Sequence, residues 1–87
     1  MTFDQWIDAV NAQVRARLGN AVRTQELSWD SAIWVSRAGT VVASLADDEQ
    51  TAKISFDGGD KLAVAFKTPE ATPDVVSAKI VERLAHR

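Results

Sequence analysis

Two acidic clusters are the first groups in this chain that could do chemistry: Asp47-Asp48-Glu49 and Asp57-Gly58-Gly59-Asp60. Either could draw a cation, but hard cations need several oxygens converging from a longer loop. The second cluster also lacks the alternating Asp/Asn positions and the closing Glu of a calcium loop. Both read as solvated turns. The glycine pair is no phosphate cradle either, because it opens into a strand rather than a helix N-terminus. Asp4 and Asp8 stand one helical turn apart, as paired catalytic carboxylates can. General acid–base work needs a pocket that drives two pKa values apart, and near a helix start these residues are more simply dipole partners.

The single histidine, His86, sits beside the C-terminus, where a helix end favours its charged form and fraying is expected. Ser28, Ser31, Ser36, Ser44, Ser55 and Ser77 have no histidine placed to activate them, and the chain has no cysteine. Without thiols there are no disulfides and no thiolate zinc sites. The residue inventory therefore predicts a protein that is not an enzyme, with no metal and no cofactor. Three tryptophans remain. Trp6 falls on a helical core stripe and Trp34 points inward by strand register. Trp29 lies in the least readable segment and is the one expected to be exposed at an interface, where aromatic residues are enriched.

The elements that must position these groups are legible at both ends of the chain. Residues 2–18 read as a helix. Thr2 and Gln5 have capping-box spacing, and Phe3, Trp6, Ile7, Val10, Val14 and Leu18 recur at three- and four-residue steps. Asp4 and Asp8 lie early, Arg15 and Arg17 late, and Gly19-Asn20 suits a left-handed C-cap. Residues 20–31 admit several readings, with Val22 to Leu27 a loop or a short edge strand, and Ser28 to Ala38 a short helix. A strand from about Ala32 to Arg37 is preferred to that helix, since Ile33, Trp34 and Val35 are strand formers. Thr40–Ala46, Thr51–Phe56 and Leu62–Lys67 follow as strand-length runs parted by turn residues. Thr72 caps a closing helix with Pro73 at its first position. Val76, Ile80 and Leu84 form its core stripe, and Lys79, Arg83 and Arg87 line another face.

Parity sorts the strand residues into faces. With Ala52, Ile54 and Phe56 inward, Leu62, Val64 and Phe66 join them if Phe56 pairs with Leu62 across a three-residue loop. A tight turn at Asp48-Glu49 pairs Leu45 with Ala52, which brings Val41 and Ala43 inward as well. A turn at Ala38-Gly39 pairs Trp34 with Ala43. The predicted fold is a single α+β domain over residues 1–87, in two layers. An antiparallel meander of three to four strands carries the N-terminal and C-terminal helices on one face, in the order α-β-β-β-β-α.

The opposite face then carries Ile33, Val35, Val42, Ser44 and Ala46 at one end, and Thr51, Lys53, Ser55, Ala63, Ala65 and Lys67 at the other. A solvated face should be mostly polar. Fully burying three β-branched side chains contributes roughly 5–8 kcal/mol before entropic costs, so this patch predicts association unless residues 20–31 fold back over it. Trp29, Ile33, Val35 and Val42 are the candidate interface residues.

Composition agrees with a folded domain: 46% hydrophobic and 25% charged residues place the chain well away from disorder. No apolar run approaches the roughly 20 residues of a membrane span, and Met1-Thr2-Phe3-Asp4 does not open a signal peptide. The cytoplasm is the expected compartment. At 87 residues the stability margin is thin, and a second subunit is the aid that composition leaves open.

The helix–strands–helix order resembles the double-stranded-RNA-binding domain in topology alone. That family's basic cluster at the start of the second helix is replaced here by Thr72-Pro73-Asp74-Val75-Val76-Ser77, leaving Lys79 without companions. The expected function is a small protein-interaction module, a dimeric regulator, inhibitor or immunity-type protein, with itself or another protein as partner. The alternative is a nucleic-acid or acidic-partner contact through Lys79, Arg83 and Arg87, which the net charge of −2 disfavours.

Overall fold

The computed structural model describes residues 2–57 and 59–85. The chain runs through α1 (Phe3–Leu18), β1 (Val22–Leu27), β2 (Ser31–Ser36), β3 (Gly39–Leu45), β4 (Thr51–Phe56), β5 (Asp60–Ala65) and α2 (Pro73–Ala85), with 3-10 turns at Gly19–Ala21 and Pro69–Ala71. All five strands pair antiparallel with their sequence neighbours, in the order β1-β2-β3-β4-β5. The α+β architecture is as expected, with one correction: there are five strands, not three to four. The added strand is β1, built from a segment whose Arg, Thr, Gln and Glu hide its periodicity.

Local chemistry sets both helix starts. The Thr2 hydroxyl accepts from the Gln5 N–H, and the Gln5 side chain accepts from the Thr2 N–H, which completes the capping box. Gly19 ends α1 at φ 54°, in the left-handed region that a side chain would strain. In α2 the Val75 N–H reaches the Thr72 hydroxyl.

Both helices cover one face of the sheet. α1 packs on α2 and β1, and α2 on β2 and β3. Between the layers lie Trp6, Ile7, Val10, Val14, Trp34, Val41, Ile54, Val76 and Ile80, all at or below 1% exposure. Polar atoms in this layer have partners. The Trp6 indole N–H donates to the Ala71 carbonyl at 2.7 Å, and the Trp34 indole N–H to Asn11 Oδ1 at 2.8 Å. The same Asn11 oxygen accepts from the Thr24 hydroxyl at 2.7 Å, so one side chain of α1 ties down β1 and β2 together. The buried Ser77 donates to Gln13 Oε1.

Every residue predicted inward by parity faces the helices, but two hairpins are displaced. β3 and β4 pair Leu45 with Ala52 as expected. Trp34 pairs with Val41 rather than Ala43, and Phe56 with Asp60 rather than Leu62. Each displacement is two residues in register, which preserves every side chain's face. The turn between β2 and β3 is consequently Arg37-Ala38, one position before the predicted one. Gly39 follows at φ 151°, and a Cβ there would meet the Asp57 side chain at 3.1 Å.

Candidate functional site

The face of the sheet turned away from the helices is the candidate site. Ile33 of β2 lies directly opposite Val42 of β3, and Val35 opposite Thr40. β1 adds Arg23 beside Val35 and Glu26 beside Ile33. Ser31 and Ser44 pair at the lower end, and Val42 continues to Ser55 on β4. The result is an apolar centre of three half-buried β-branched residues inside a rim of hydroxyls and charges.

Nothing among the described residues covers that centre. Residues 22–27 form an edge strand in the plane of the sheet, so the alternative in which residues 20–31 fold back over Ile33, Val35 and Val42 is corrected. The reason lies in the inner layer: Thr24 faces Asn11 and Val22 is buried in the core, which holds β1 beside β2.

Trp29 is exposed as expected, at 70%, and Leu27 is 42% exposed. Trp29 does not join the apolar trio. It stands in the β1–β2 connection at the end of the sheet, walling a cleft with Leu45, Phe3, Asp4, Glu49 and Phe66. The structure thus brings Ile33, Val35 and Val42 together and sets Trp29 apart.

The predicted basic row is divided as well. Arg83 lies 4.8 Å above the Phe56 ring and pairs with Asp60, so its charge is engaged within the fold. Lys79 is exposed. The expectations for Arg87 and His86 fall outside the described residues.

The acidic turn has a structural task. Asp48 Oδ1 accepts the N–H groups of Gln50 and Thr51, and its Oδ2 accepts the Thr51 hydroxyl. The Gln50 N–H, then the Thr51 hydroxyl, hold the Asp48 carboxyl below the usual carboxylate range. Glu49 next to it sits at φ 58° to close the turn. Among the described residues no three His, Cys, Asp or Glu side chains converge as a metal site. Likewise no helix among them is long and apolar enough to cross a membrane.

Sequence reasoning missed Asn11 as a structural node, because a lone Asn inside a helix carries no pattern. It also missed the contrast between the two sheet edges, which depends on pairing rather than composition. No protein-family model matches the chain, and neither the curated proteins nor the solved structures compared with it gave a match.

Proposed function

We propose that this protein is a non-enzymatic interaction module that pairs with a second copy of itself through the outer sheet face. The observation that carries this reading is the uncovered Ile33–Val42 cross-strand pair with Val35 alongside. An apolar centre inside a polar rim has the anatomy of a protein interface. The rim also suits self-pairing. Arg23 and Glu26 flank the apolar centre from the same strand, so a two-fold axis lying in the interface and running across the strands would set the Arg23 of each copy near the Glu26 of the other. Because the three apolar side chains are already half-buried, sealing them would add roughly 2–4 kcal/mol. That is a contribution to a dimer, not the whole of one.

Light scattering after size exclusion, over a range of concentrations, tests the proposal. The wild-type chain should move toward twice its monomer mass as concentration rises, and Val42→Asp should remain a monomer with the far-UV spectrum of the wild type. A wild-type monomer at every concentration overturns self-pairing. A Val42→Asp chain that loses its helices would instead make this face part of the fold, and Val35→Asp repeats the test one strand position away.

A further inference from the structure

The two edges of the sheet are built differently. β1 carries a bulge at Gln25, where its register with β2 shifts between Thr24 and Glu26, and it bears the long side chains of Arg23, Gln25 and Glu26. Bulges and charges of this kind blunt an edge against further pairing. β5 pairs with β4 without interruption from Asp60 to Ala65, and its outer-face residues are Lys61, Ala63 and Ala65, all exposed.

The ladder shows which backbone groups of β5 are free. The Asp57 N–H bonds to the Thr40 carbonyl and the Ala46 N–H to the Thr51 carbonyl, so the odd-numbered residues of β4 bond to β3. By alternation, Ala52, Ile54 and Phe56 bond to their partners Val64, Leu62 and Asp60. The backbone N–H and C=O groups of Lys61, Ala63 and Ala65 therefore point to the open edge. Of these the Ala65 carbonyl is taken, by the N–H and hydroxyl of Thr68.

Both sides of this edge are hollow. On the helix side a groove of about 540 Å³ runs between β5 and α2, floored by Phe56 and Leu62 and walled by Lys79, Glu82 and Arg83. On the outer side a smaller groove of about 430 Å³ is bordered by Lys53, Lys61 and Ala63. The outer side is basic: Lys53 and Lys61 are the charged residues of the outer face of β4 and β5. On the helix side Lys79 stands with Glu82, and Arg83 engages Asp60. This basic edge belongs to a chain whose net charge is −2.

We infer that the β5 edge binds an extended acidic segment of a partner protein, which adds to the sheet as a sixth strand. Main-chain bonds to Lys61, Ala63 and the Ala65 N–H would hold the segment, as in other strand additions. Its side chains would alternate. Carboxylates fall on the outer side against Lys53 and Lys61, and apolar residues between them enter the groove above Leu62. The outer groove borders Ser44 and Ser55, which also rim the apolar centre on β2 and β3, but the free main-chain groups of β5 lie beyond β4, so binding at the edge does not depend on self-pairing.

The test is fluorescence anisotropy with a labelled heptapeptide of alternating Val and Glu, read at low and high salt. Binding should weaken as salt rises, fall at least tenfold for Lys61→Glu, and disappear for the same peptide with Lys in place of Glu. Ala63→Pro removes only an edge-facing N–H and leaves the ladder to β4 intact, so it should abolish binding without loss of helix content. Should that variant not fold, a peptide N-methylated at alternate residues makes the same test from the other partner. Equal binding of the Lys peptide, indifference to both Lys61→Glu and N-methylation, or no binding at all overturns the inference. So does a dimer of the chain alone that Ala63→Pro dissolves, which would make a second copy the occupant. Val42→Asp should leave peptide binding unchanged, which separates the edge from the outer face.

Discussion

Trp34 and Val35 are neighbours on β2, yet they belong to surfaces with opposite fates. Trp34 is fully buried, packed beneath the helices, with its indole N–H bonded to Asn11. Val35 is half-buried, opposite Thr40 and Arg23, with no second layer over it. One face of the sheet is closed by packing and by paired polar atoms. The other has no second layer over it among the described residues. A sheet sandwiched on both faces would read apolar at every position, whereas one facing water would read polar at alternate positions. This sheet does neither on β2 and β3. The difference assigns stability to the inner face and leaves the outer one open for the proposed self-pairing.

Substitutions that break the comparison rank by how much each face contributes to the monomer. The largest effect is expected from Trp34→Ala, which opens a cavity between the layers and removes one of the two donors to Asn11 Oδ1. It should cost about 3–5 kcal/mol, measured by urea denaturation. Asn11→Ala comes next. It removes the acceptor shared by Trp34 and Thr24 and leaves a buried indole N–H unpaired, a loss of about 1–3 kcal/mol. Val42→Asp should cost the monomer only about 1 kcal/mol, although it is the change expected to abolish self-association. A loss as large as that of Trp34→Ala would erase the distinction between the faces.

The smallest effect sharpens the comparison from outside both faces. Asp48 closes the β3–β4 turn in full exposure, and its carboxyl is held below its ordinary value by the N–H of Gln50 and the Thr51 hydroxyl. A depressed folded pKa contributes stability that is present above about pH 4 and lost as pH falls through the folded value. Asp48→Asn should therefore lower the melting temperature slightly at neutral pH, and the two melting curves should converge in acid. A gap that persists below the titration would assign the contribution to shape rather than charge.

Much of the candidate site was legible because parity is robust. Ile33, Val35 and Val42 were placed together on the outer face, although Trp34 was paired two residues away from its actual partner. The Arg83 engagement was not legible. It depends on Phe56 and Asp60 meeting α2 at the far end of the sheet, and no spacing along the chain signals that meeting. Trp29 was correctly expected to be exposed, but its separation from the trio follows from the path of the β1–β2 connection.

By itself the sequence determined what short-range chemistry determines. That covers the capping box at Thr2 and Gln5, the glycine stop at Gly19, the Thr72-Pro73 start, and the side of the sheet to which each strand residue points. These depend on residues within one turn or on a period of two, so they are written locally. Tertiary structure alone decided that Val22–Leu27 is a strand, that β1 is bulged while β5 is open, and which residues face one another across two hairpins. A slip of two residues leaves every side chain on its face, so the hydrophobic pattern cannot choose between registers. Contacts made across the layers, such as those of Asn11 and Arg83, make that choice.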